Sequence, residues 1–158
     1  MIKTFAQLLA EEKIDTIESA LKAALTNANE SPFWSQKVMP LAQALLAVLV
    51  PLRDQGLLFD PEGKPQPRLT PALLLRWCDL VSLKTLAFTL QKSNEAGRLL
   101  RTSLPEEACT AYTPVDLTLL GTYLGGYMVN LENEALDFPI AHYNLHTGIA
   151  GVLEPLMR

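Results

Sequence analysis

The sequence predicts an all-α fold, a single compact bundle of about six or seven helices around one central helix. Apolar residues recur at spacings of three and four over most of the chain, which is the pattern of amphipathic helices. No stretch keeps the strict alternation of apolar and polar residues that is typical of a half-buried strand. Three apolar segments open with a Ser-Pro or Thr-Pro pair, which is typical of an N-cap followed by proline at the first helical position.

Length and composition set the class of protein. The 158 residues predict one domain, spanning 1–158, that is large enough to bury a core. No uncharged apolar run reaches the roughly 18 residues of a membrane-spanning helix, and Glu11 and Glu12 come too early for a signal peptide. The two cysteines, Cys78 and Cys109, favour a reduced, cytoplasmic protein without a disulfide framework or zinc site.

Two helices are predicted before residue 31. An apolar stripe predicts the first over residues 2–12. The second is expected to begin at Asp15, because Glu18 three residues later completes an aspartate version of the capping box. The sequence "TNANESP" then ends it.

The third helix, "SPFWSQKVMPLAQALLAVLVPLRDQG" at 31–56, is expected to be the centre of the fold. Ser31 is a suitable N-cap, and Pro32 loses no hydrogen bond at the first helical position. The helix is apolar nearly all round, so it should be buried on several sides. Pro40 and Pro51 lie inside it and should bend it, which would let the flanking helices wrap around it.

The second half of the chain is expected to alternate helices and connectors. Residues 57–71 contain several prolines and predict an exposed loop, with a short hairpin as the alternative. Thr70-Pro71 starts a helix, Ser82 caps the next with a break near 93–97, and 103–112 form a connector. Thr113-Pro114 opens a helix whose glycines favour either a close helix approach or an irregular turn, and a last helix follows over 136–156.

Charge is distributed unevenly along the chain. Residues 1–101 hold 12 Lys and Arg against 10 Asp and Glu, whereas 102–157 hold seven acids and no Lys or Arg. The basic side chains most suited to weak DNA contacts are Lys84, Lys92, Arg98 and Arg101. The acidic side chains most suited to docking a protein are Glu106, Glu107, Glu132, Glu134 and Asp137. An ordinary solvated helix surface is the alternative for the basic group.

The sequence contains no pattern that predicts catalysis or a cofactor. No phosphate-binding glycine loop and no nucleophile elbow is present. His142 and His146 are four residues apart and would share a helix face, so they could hold a metal ion together with Asp137 or Glu154. The alternative is that both histidines form hydrogen bonds with neighbouring groups, and we expect no metal site, no cofactor and no enzyme activity.

The 31–56 segment resembles part of the type IV coupling proteins, the hexameric motor ATPases of conjugation and type IV secretion. The matching residues are Phe33, Trp34, Lys37, Leu49, Leu52, Arg53, Asp54 and Gly56. The following "LTPALLLRWCDLVSLKTLA" is similar to the next element of the same inserted helical domain, and "AHYNL" at 141–145 is weakly similar to a later stretch. The resemblance covers about residues 31 to 90 and assigns structural roles to Phe33, Trp34, Arg53 and Asp54.

The resemblance implies that the chain is the all-α domain of a coupling protein without its motor domain, because the Walker motifs are absent. In that family this domain lies at the cytoplasmic mouth of the motor ring, where it recognises a relaxase–DNA complex or a secreted protein. The implied partners are therefore that substrate, the motor domain and, weakly, DNA. An unrelated helical adaptor or chaperone-like protein, and a small helical enzyme using His142 and His146, are the other hypotheses.

Overall fold

A computed structural model describes residues 3–28 and 32–157 and confirms the all-α class. Within these ranges the helices are α1 (Phe5–Glu11), α2 (Ile14–Ala28), α3 (Pro32–Asp54), α4 (Pro71–Arg76), α5 (Leu80–Ala96), α6 (Glu106–Thr110), α7 (Thr118–Gly125) and α8 (Ile140–Leu153), followed by a 3₁₀ turn at Glu154–Met157. The described part therefore has eight α-helices, slightly more than expected. The additional one is the five-residue α6, which lies in the predicted connector.

Helix α3 is the helix around which the others pack, as the sequence predicts. It contacts α2, α7 and α8, and ten of its side chains between Val38 and Leu52 are buried. Pro40 and Pro51 both lie within this one continuous helix, and the bend predicted at them stays a prediction. Arg53 near its end and Gly56 just beyond it, at φ +71°, match the usual chemistry of a helix C-terminus.

Several predicted helix starts need correction. Asp15 lies in the first turn of α2 and not before it, and the N-cap of α5 is Asp79, whose carboxylate accepts a hydrogen bond from the Ser82 amide at 2.9 Å. The predicted start at Thr70-Pro71 is confirmed, because the Thr70 hydroxyl accepts from the Leu73 amide at 3.1 Å. Ser31, the expected cap of α3, lies outside the described residues.

The start predicted at Thr113-Pro114 is wrong, because α7 begins only at Thr118. The Gln55 side chain accepts from the Thr113 amide at 2.8 Å and donates to its carbonyl at 3.0 Å. The Asn94 side chain does the same for Val115, at 3.2 and 2.9 Å. The carbonyls of Thr113 and Val115 would accept the first intrahelical hydrogen bonds of a helix begun at Thr113. Distant side chains engage both of them, and the segment stays non-helical.

The 57–71 loop is not exposed as a whole, contrary to the prediction. Leu57, Leu58 and Phe59 are buried, and Asp60 is 3% exposed. The Asp60 carboxylate accepts hydrogen bonds from two backbone amides of the loop and from the Arg76 guanidinium at 3.1 Å. The apolar start of the loop therefore joins the core, and a buried aspartate folds the proline-rich remainder back on itself.

Candidate docking face

The large hydrophobic side chains that are exposed in the described chain lie on α7, on α8 and on the segment between these helices. There are six of them: Leu119, Met128, Leu136, Ile140, Tyr143 and Leu145. Neither helix contains a charged residue. Exposed apolar surface concentrated in one region often marks an interaction site, whereas isolated exposed hydrophobics do not.

A groove of about 440 Å³ runs between these two helices and the N-terminal half of α3. Its apolar lining comes from Pro40, Leu119, Tyr127 and Leu145. The polar lining comes from Gln36, Lys37, Gln43, Thr122, Tyr123 and His142. We call this feature the α3–α7–α8 groove, and its size falls within the usual range for binding pockets.

A buried hydrogen-bond network fixes α7 and α8 beneath the groove. The ring of His146 is 1% exposed, and its Nε2 lies 2.6 Å from the carbonyl oxygen of Cys78. A carbonyl only accepts, so Nε2 carries the proton. Nδ1 is then the acceptor for the Tyr123 hydroxyl, which lies at 2.7 Å.

Both titratable partners in this network are held neutral by their surroundings. Burial lowers the pKa of His146, because the imidazolium would lose its hydration. Burial likewise raises the pKa of Tyr123, and the neighbouring Tyr127 adds to the effect. The network therefore joins the two helices through hydrogen bonds between neutral side chains.

The two histidines do not act as a pair. His142 is partly buried and packs edge-on to Tyr127, with ring centroids 6.5 Å apart, whereas His146 is enclosed by Tyr123 and Cys78. Among the described residues no group of three or more His, Cys, Asp and Glu side chains is arranged to hold a metal ion. Their surroundings match the hydrogen-bonded alternative for His146 and place His142 at the groove.

Lys84 does not lie on the surface, contrary to its expected contact with DNA. It is 1% exposed, its Nζ donates to the carbonyl of Ala135, and the Phe138 ring centroid lies 6.0 Å away. The segment 130–139 covers this part of α5, and the helix is buried on most sides. A side chain enclosed in this way cannot reach a phosphate backbone.

The other three basic residues face acids of the same chain. Lys92 Nζ lies 3.7 Å from a Glu95 carboxylate oxygen, and Arg98 Nη1 lies 3.9 Å from one of Glu106. Arg101 forms an ion pair with Glu134. The basic and acidic groups of the sequence thus partly neutralise each other, and DNA contact through these three residues stays a prediction.

Three of the predicted docking acids remain exposed without an ion pair in the described chain: Glu107, Glu132 and Asp137. Two of them, Glu132 and Asp137, belong to the non-helical stretch that precedes α8. In the sequence, these two carboxylates come shortly before the start of α8. A partner that reaches this part of the chain would meet an acidic surface.

Two motif residues support the end of α3. Arg53 Nη1 donates to the Leu9 carbonyl at 2.7 Å, and its Nε and Nη2 donate to the Asp54 carboxylate at 3.0 and 2.9 Å. The arginine therefore joins α1 to α3. Phe33 and Trp34 lie in the first turns of α3, and their side chains are outside the described part.

Comparison with known proteins identifies no relative. No family model, curated protein or solved structure matches the chain. Within the described ranges no helix is both long and apolar enough to cross a membrane.

Proposed function

We propose that this chain is a non-catalytic protein-binding domain whose docking surface is the α3–α7–α8 groove. The observation that carries the proposal is the concentration of exposed hydrophobic side chains on α7, on α8 and between them. Leu119 and Leu145 are about half exposed, at 49% and 52%, and both line the groove. A groove between packed helices is a common receptor for an amphipathic helix.

The partner segment is an amphipathic helix with basic residues beside its apolar stripe. The apolar stripe would fill the groove against Leu119, Tyr127 and Leu145. The basic residues would be attracted to the C-terminal third, which carries seven acids and no Lys or Arg before Arg158. Charge of this kind speeds association and selects among partners more than it adds affinity.

The more specific form of the proposal is that this domain recognises the transferred substrate of a conjugative type IV coupling protein. Its support is the resemblance at about residues 31 to 90, above all "SPFWSQKVMPLAQALLAVLVPLRDQG". In this form the partner is a relaxase or a secreted protein, and the motor domain belongs to the same polypeptide. A Walker-type motor sequence in the same reading frame as this chain would support this form, and a reading frame without one would favour an unrelated helical adaptor.

Synthetic peptides test the docking surface directly. Two amphipathic helices with the same apolar stripe, one flanked by lysines and one by glutamates, are titrated with the protein by fluorescence anisotropy. We expect the lysine-flanked peptide to bind more tightly, and Leu145→Glu to weaken it about tenfold or more, since a buried anchor residue contributes at least that factor.

Asn144→Glu is the matched control, because it adds the same charge at an exposed position of α8 that does not line the groove. It should bind the lysine-flanked peptide at least as well as the wild type. Equal affinities for Leu145→Glu and the wild type, or no preference between the two peptides, would contradict the proposed surface or the proposed partner chemistry, respectively.

A further inference from the structure

We propose that the cavity between α5 and the segment 130–139 binds a small oxyanion, such as a phosphate or carboxylate group, through Lys84 and Arg101. The cavity has a volume of about 140 Å³ and is lined by Lys84, Thr85, Phe88, Arg101, Glu134 and Leu136. This volume has room for several water molecules or one small anion. The site is separate from the α3–α7–α8 groove.

The ammonium group of Lys84 is buried beside the cavity. The side chain is 1% exposed, and in the described chain its Nζ has one hydrogen-bond acceptor, the carbonyl of Ala135. No carboxylate of the described residues lies within ion-pair distance of it. An ammonium has three N–H donors, and burying a charge is costly unless it is paired.

The guanidinium group of Arg101 is the second cation at the cavity. Arg101 lines the same cavity, pairs with Glu134 and places its guanidinium carbon 5.3 Å from the centroid of the Phe88 ring. Its backbone has a φ of +59°, which is uncommon for a residue with a side chain. The neighbouring turn is fixed by the Ser103 amide, which donates to the Gly63 carbonyl at 2.7 Å.

The charges of the lining favour an anion. The two cations outnumber the single carboxylate of Glu134, which is already engaged by Arg101. The Thr85 hydroxyl donates its hydrogen to the Val81 carbonyl at 2.9 Å, so it supplies no donor to a ligand. An anion would thus take the spare N–H groups of Lys84 and share Arg101 with Glu134, or displace that carboxylate.

The experiment is an NMR titration of the full chain with inorganic phosphate, and in a second arm with acetate, at constant ionic strength maintained with chloride. The amide signals of Lys84, Arg101 and Ala135 report on the cavity. We expect saturable shifts that Lys84→Met weakens about tenfold or more, because a hydrogen bond to a charged group accounts for roughly that factor. Lys92→Met, which removes an exposed lysine of the same helix, should leave the affinity unchanged.

A second variant makes the test independent of the folding of Lys84→Met. Glu134→Gln removes the competing carboxylate at an exposed position, so phosphate should bind roughly threefold to tenfold more tightly. Tighter binding of phosphate than of acetate assigns the site to phosphate groups, and the reverse assigns it to carboxylates. The proposal is overturned if neither anion produces saturable shifts, if Lys84→Met binds as the wild type does, or if Glu134→Gln does not strengthen binding.

Discussion

Replacing His146 by leucine tests the buried network that joins α7 and α8. The imidazole makes two hydrogen bonds, from Nε2 to the Cys78 carbonyl at 2.6 Å and from the Tyr123 hydroxyl to Nδ1 at 2.7 Å. Leucine is of similar size, so it removes both bonds without leaving a large cavity. The carbonyl of Cys78 and the hydroxyl of Tyr123 then remain buried without this partner.

The expected loss of stability follows from those two orphaned groups. Each buried polar group without a partner costs about 1–3 kcal/mol, so His146→Leu should lower the free energy of unfolding by about 2–6 kcal/mol at neutral pH. Urea denaturation followed by circular dichroism measures this as a lower midpoint with an unchanged slope. A variant as stable as the wild type would refute the assigned role of the network.

The same network gives stability a dependence on pH with a definite sign. Burial lowers the pKa of His146 in the folded protein below its ordinary value of 6.5, so the unfolded chain binds more protons as the pH falls below that value. His146 should therefore add no pH dependence above about pH 7.5, and stability should decrease as the pH falls through 6.5 and below, with a slope of up to about 1.4 kcal/mol per pH unit. Between about pH 5 and 6.5 most carboxylates stay ionised, so histidine dominates that window.

His142→Gln is the control for that measurement. It should keep the decrease between about pH 5 and 6.5, whereas His146→Leu should lose it. If the wild type and His146→Leu show the same slope in this window, the protonation of His146 is not the cause, and the unprotonated state assigned to Nδ1 must be revised.

Two further substitutions test contacts between distant parts of the chain. Arg53→Ala should destabilise the protein by about 1.5–3 kcal/mol, because it removes the charged hydrogen bond to the Leu9 carbonyl. Urea denaturation measures the loss, and an unchanged midpoint would show that this hydrogen bond makes no net contribution to stability. Gly63→Ala should cost more than Gly97→Ala in a thermal melt. Both glycines have positive φ, +81° and +72°, so alanine has a conformational cost of about 1–2 kcal/mol at either position. Only at Gly63 would the added Cβ also lie 3.1 Å from a backbone oxygen, the carbonyl oxygen of Arg101. Equal losses of thermal stability in the two variants would contradict this close approach.

The fold class was predictable because local signals agree over long stretches. In α3 the all-round apolar composition, Pro32 at the first position, and Arg53 and Gly56 at the end all indicate the same helix, and the structure has it with those bounds. The helix start at Thr70-Pro71 was predicted correctly for the same reason. The same type of signal at Thr113-Pro114 gave a wrong prediction, because the distant side chains of Gln55 and Asn94 engage the carbonyls of that segment. A local sequence pattern does not contain this information.

The site was less predictable than the fold, since exposure depends on long-range packing. Lysines are usually exposed, but a segment about fifty residues further along the chain covers Lys84. From the sequence, Arg98 and Arg101 belong to a predicted DNA-contacting group, and Glu106 and Glu134 belong to a predicted protein-docking group. In the structure Arg98 faces Glu106, and Arg101 pairs with Glu134. The groove did leave a signal in the sequence, because α7 and α8 contain no charged residue in 22 positions, which is uncommon for helices at a surface.

The exposed segment 130–139 affects how the protein responds to proteases. The chain has no lysine or arginine between Arg101 and Arg158, so trypsin leaves this region intact whether or not it is folded. A glutamate-specific protease, by contrast, meets Glu132 and Glu134 at exposed, non-helical positions, which are favourable for cleavage. Since α8 packs against α3 and the final 3₁₀ turn against α4, the two fragments would remain associated after the cut, which would then be visible on a denaturing gel but not by size-exclusion chromatography.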